Sequence, residues 1–99
     1  MENQEIKDVF EAFFRKYRKS EGDDNTYTAF WSEIYPGGTV EIVMTRCPED
    51  TTFKFFVDKK KVIEVKEWDA FFPAMRQFSQ DYSQLFDPET FFSGMREMT

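Results

Sequence analysis

The sequence predicts an α+β fold: a small antiparallel sheet of three to four strands, arranged as a meander, with one N-terminal and two C-terminal helices in the order αββββαα. Two observations carry this. Between Thr39 and Glu67 apolar residues alternate with polar ones in three successive runs, the period of a half-buried strand. On either side of that stretch, apolar residues recur at the three- and four-residue spacing of a helix. The 99 residues read as one domain, 1–99, long enough to bury a single core.

The first helix is expected from about Asn3 to Ser20. Ile6, Val9, Phe10, Phe13, Phe14 and Tyr17 form one apolar stripe. Acidic residues stand near its start and Arg15, Lys16, Arg18 and Lys19 near its end, an order that complements the helix dipole. Gly22 is the expected stop. Tyr27–Tyr35 fits two patterns. Phe30, Ser32 and Ile34 share a face if it is a strand, whereas Tyr27, Phe30, Trp31, Ile34 and Tyr35 also fit helical spacing. A strand is preferred, because the Pro36-Gly37-Gly38 turn would feed it straight into the next strand as a hairpin.

The three clear strands follow. Thr39–Arg46 aligns Val40, Ile42 and Met44, Thr52–Val57 aligns Phe53, Phe55 and Val57, and Lys61–Lys66 aligns Ile63 and Val65. Their linkers are short enough for antiparallel neighbours. A second helix is expected from about Asp69 to Leu85, with Asp69 as N-cap. A third starts with Asp87 as N-cap and Pro88 as its first residue, and Phe86 and Phe91 are spaced for a hydrophobic staple.

Composition bounds the function. There is no histidine, so the commonest general base and zinc ligand are missing and histidine-dependent triads are excluded. Cys47 has no thiol partner for an internal disulfide, and beside Glu49 and Asp50 it has no setting that favours a thiolate. The acidic loop clusters Asp23-Asp24-Asn25 and Glu49-Asp50 match no calcium loop. No catalytic residue, cofactor or metal site is therefore expected, and the chain is read as not an enzyme. The net charge of −6 argues against a nucleic-acid partner. No apolar run reaches the 18 residues of a spanning helix, and the polar, acidic start is unlike a secretory signal, so the expected location is the cytoplasm. The basic runs Arg15–Lys19 and Lys59–Lys61 would make one patch only if the fold brought them together.

The aromatic content, 19% with 13 Phe, is enough either to build a dense core or to leave a surplus for an interface. Neighbours on a strand point to opposite faces, so Phe55 and Phe56 cannot both serve one core. Phe56 then belongs to a second sheet face, joined by Val43, Val62 and Trp31. These four residues are the candidate interaction surface. The layout of helix, small antiparallel sheet and helix resembles the Alu-RNA-binding proteins of the signal recognition particle, which use a basic sheet surface that this acidic chain is read as lacking. In charge and layout it is also similar to toxin-immunity proteins and phage-encoded inhibitors, a resemblance that implies a basic partner. The leading expectation is a non-enzymatic interaction module, an acidic inhibitor or immunity-type protein that docks a basic protein on an aromatic patch framed by carboxylates. A homodimer is the simplest form of such an association. The alternative expectation is a binder of a small apolar ligand held between sheet and helices.

Overall fold

The computed structural model describes residues 1–22 and 25–99. Helix α1 spans Asn3–Tyr17, followed by strands β1 (Lys19–Ser20), β2 (Tyr27–Tyr35), β3 (Gly38–Arg46), β4 (Thr51–Val57) and β5 (Lys60–Lys66), then helices α2 (Trp68–Asp81) and α3 (Pro88–Glu97). The strands form one antiparallel meander in the order β1-β2-β3-β4-β5. This is the expected α+β fold with one more strand. Among the described residues no helix is long and apolar enough to cross a membrane.

The extra strand comes from the end of α1. The helix stops at Tyr17, not Ser20, because Arg18 turns extended (φ −60°, ψ 144°) and Lys19 and Ser20 pair with Thr28 and Tyr27. Gly22 does not cap the helix; with φ 87° it serves the loop beyond β1. Tyr27–Tyr35 is a strand, and Tyr35 pairs with Gly38 across a tight Pro36-Gly37 turn. The β4–β5 hairpin turns at Asp58 and Lys59, both at positive φ (50° and 69°), as a type I′ turn requires. Helix α2 begins one residue before the expected Asp69, with Glu67 in the N-cap position, and ends at Asp81 instead of Leu85. Helix α3 starts as read: Asp87 accepts a hydrogen bond from the Glu89 N–H at 3.3 Å, and the Phe86 and Phe91 rings meet edge-on at 5.4 Å.

All three helices lie on one face of the sheet. Phe10, Phe14, Phe71, Phe78, Phe91 and Phe92 from the helices are fully buried with Val40, Ile42, Met44, Phe53 and Phe55 from the strands, in a single cluster. Phe71 touches Phe10, Phe53, Phe55 and Phe92 with ring centroids 4.6–6.4 Å apart, mostly tilted or edge-on, the geometry aromatic quadrupoles favour. The space between sheet and helices is thus filled by rings. One polar tie closes the layer from its rim: Glu11 on α1 grips Arg46 on β3.

Candidate functional site

The alternation of β3 and β4 leaves a second face. Across it run Phe30, Ser32 and Ile34 on β2, Thr39, Glu41, Val43 and Thr45 on β3, Thr52, Lys54 and Phe56 on β4, and Glu64 and Lys66 on β5, with Phe30 opposite Val43 and Lys54 opposite Glu64. A bulge in the β4–β5 register between Phe55 and Phe56 leaves Val62 as the extra residue, exposed beside Phe56. None of Phe30, Ile34, Val43, Phe56 and Val62 packs against the buried cluster to which all three helices belong. Among the described residues nothing of this chain covers that face.

Three of the four residues expected there are present: Val43, Phe56 and Val62. Trp31 is not. It pairs with fully buried Ile42, packs edge-on against Phe13 at 5.7 Å, and donates its indole N–H to Glu33 on the helix-bearing face. The physical reason is register: the residue opposite an inward Ile42 must itself point inward. Phe30 and Ile34 take the outward places, 56% and 85% exposed. Their alternation was readable, but both faces of Tyr27–Tyr35 carry apolar residues, so only the pairing with β3 separates inside from outside.

The charge around the face also differs from expectation. Lys54, Lys61 and Lys66 stand on it with Glu41 and Glu64, and Lys19 is at its β1 edge. Lys61 pairs with Glu64 at 2.5 Å and Lys66 with Asp50 at 3.1 Å. Each of these two carboxylates is held below its ordinary pKa, Glu64 by the hydrogen bond from Lys61, Asp50 by those from Cys47 and Lys66. Of the 19 carboxylates, seven stand on the helices instead of framing the patch: Glu5, Asp8, Glu11, Asp69, Asp81, Glu89 and Glu97. The two basic runs are separate: one ends in β1 and the other forms the β4–β5 turn, at opposite edges of the sheet. At about 4.8 Å per strand that puts roughly 19 Å between them.

Other chemistry is sparse. The Tyr35 hydroxyl is buried without a hydrogen-bond partner, and burial, with Glu33 and Asp87 nearby, pushes its pKa up to about 12. It stays protonated at neutral pH. The Cys47 thiol donates to the Asp50 carboxylate at 3.2 Å. Among the described residues no three metal-ligating side chains converge, and Asp23 and Asp24 of the acidic loop cluster lie outside the described residues. No protein-family model, curated protein or solved structure matches the chain.

Proposed function

We propose that the chain is a non-enzymatic protein-interaction module whose uncovered sheet face is its docking surface. The observation that carries this reading is that a five-stranded sheet buries one face under three helices and leaves Phe30, Ile34, Val43, Phe56 and Val62 on the other. An apolar patch of this kind on a small domain marks an association site more often than it serves the monomer. The patch is interrupted by lysines and glutamates of both signs, which suits a rim that sets register and partner choice.

The partner that fits is a folded protein. It brings apolar groups to Phe30, Val43 and Phe56, carboxylates to Lys54 and Lys66, and a basic group to Glu41. The negative net charge lies outside the strands, which are net positive, and only −2 of the −6 is on the helices. It favours solubility and shapes the long-range field, while the contact itself is of mixed sign.

A photoreactive amino acid at position 43 or 56, with a control at Gln77 on the exposed side of α2, tests this in extract of the native source. Discrete adducts from 43 and 56 that vanish on Phe30→Glu support it. Adducts from the helical control alone overturn it.

A further inference from the structure

β2 is nine residues long, yet among the described residues only its first two have a strand neighbour on the side away from β3: Ser20 pairs with Tyr27 and Lys19 with Thr28. The remaining stretch, Ala29–Tyr35, is an open edge. The hydrogen-bond phase tells which backbone groups face it. Glu21 donates its N–H to the Thr26 carbonyl, so even-numbered residues of this segment turn their backbone toward β1. From the other side, Thr39 receives the Asp58 N–H on its carbonyl and donates its own N–H to the Asp58 carboxylate. Its backbone therefore faces β4, and it forms no hydrogen-bonded pair with Ile34 opposite it on β2. Because direction alternates along an antiparallel ladder, Phe30, Ser32 and Ile34 present their N–H and C=O groups to the open edge.

The two edges of the sheet are treated differently. β5 carries Lys60, Lys61 and Lys66 and has a bulge in its register, devices that deter strand addition. The open half of β2 has no lysine, proline or bulge. Of the five exposed large apolar side chains among the described residues, four stand around it: Tyr17, Phe30, Ile34 and Met98. Tyr17, Phe30 and Met98, with Phe13 and Trp31, line a groove of about 400 Å³ along this edge.

We propose that a second copy of this chain adds its own β2 here, antiparallel, about a two-fold axis through Ser32. Only that arrangement pairs all three outward-facing residues: a shift by two sends Ile34 to Thr28, which Lys19 already occupies, or Phe30 to Pro36, which has no N–H. With Ser32 opposite Ser32 of the second copy, Phe30 falls opposite Ile34 of the second copy and Ile34 opposite its Phe30. The residues brought together are the three whose backbone groups face outward, so each pair exchanges two backbone hydrogen bonds. The two most exposed apolar side chains of the chain cover each other twice, as a two-fold interface requires. A shift of one residue in either chain would oppose inward-directed to outward-directed backbone groups and lose the ladder. The guarded β5 edge ends the assembly at two copies, and the uncovered faces join into one continuous surface. This inference assigns the edge of β2 and stands apart from the docking role of the face.

Sedimentation equilibrium from about 1 to about 300 μM tests it, with wild type, Ile34→Lys, Ser32→Pro and Phe56→Glu. Ile34 is so exposed that its lysine variant keeps the monomer fold, and the proline removes an N–H that bonds nothing in the monomer. The expected result is a wild-type mass that rises from one chain to two and levels there. Ile34→Lys and Ser32→Pro weaken the dimer about tenfold or more, and Phe56→Glu leaves it within about threefold. A wild type that stays monomeric, or a mass that climbs past two chains, overturns the proposal. A dimer broken by Phe56→Glu but not by the edge variants also overturns it, and leaves the docking role of the face intact.

Discussion

Glu11 and Arg46, 35 residues apart, form a two-pronged ion pair at the rim of the core, with guanidinium nitrogens 2.8 and 2.7 Å from the two carboxylate oxygens. The Trp68 indole N–H adds a third donor to the same carboxylate at 3.0 Å, and Arg46 also donates to the Thr51 hydroxyl at 3.0 Å. One side chain of α1 thereby ties itself to β3 and to the start of α2, and its arginine partner reaches on to β4.

The pair makes stability pH-dependent. The hydrogen bonds from Arg46 hold the Glu11 carboxyl below its ordinary pKa against the opposing effect of burial, and Trp68 adds to the lowering. A carboxylate with a depressed folded pKa stabilises fully above its unfolded pKa, about 4.3, and that contribution is lost as pH falls through the folded value. Glu11→Ala is expected to cost about 1–3 kcal/mol at pH 7, the range for charge-assisted hydrogen bonds in a partly exposed site. The gap between wild type and variant closes in acid. Urea melts at pH 7 and in the acid range below the ordinary carboxylate pKa check this, and a gap that is the same at both would refute it.

Phe55 and Phe56 test the two faces of the sheet against each other. Phe55 is fully buried against Phe71 and Phe78, with ring centroids at 5.6 and 5.2 Å. Phe55→Ala is expected to cost about 3–5 kcal/mol, through lost transfer energy and the cavity left behind. Phe56→Ala is expected to cost about 1 kcal/mol, because its ring is only partly buried, on the uncovered face. Denaturant melts of dilute protein separate the two. Equal losses would mean that both faces are packed within one chain.

The β4–β5 turn holds Lys59 at φ 69°, where a Cβ is unfavourable. Lys59→Gly is expected to stabilise by about 0.5–1 kcal/mol, the relief of that strain less the added freedom of the unfolded chain. Its neighbour is different: the Asp58 carboxylate accepts the Thr39 N–H at 2.9 Å, so Asp58→Ala should destabilise by about 1 kcal/mol. Thermal melts that showed Lys59→Gly neutral or harmful would contradict the turn assignment.

The amino-acid sequence by itself determined whatever depends on neighbours along the chain. Period-two alternation marked Thr39–Arg46, Thr52–Val57 and Lys61–Lys66 as strands, each within a residue of the observed one, and it separated Phe55 from Phe56, because a strand reverses its side chains at every step. The cap at Asp87 and the staple between Phe86 and Phe91 were equally local, since a helix start is built from residues within one turn. Tertiary structure alone decided the rest. Lys19 and Ser20 have no apolar pattern, and they are a strand only because β2 offers them a backbone ladder. Trp31 and Phe30 are both aromatic, and which one faces the helices follows from pairing with Ile42 and Val43, set 11 to 13 residues away. The place of Lys54, Lys61 and Lys66 on the open face, beside Glu41 and Glu64, was decided in the same way. Charge is counted along the chain, but the side of a sheet on which it lies is set by hydrogen-bond register, which the chain acquires only when its strands meet.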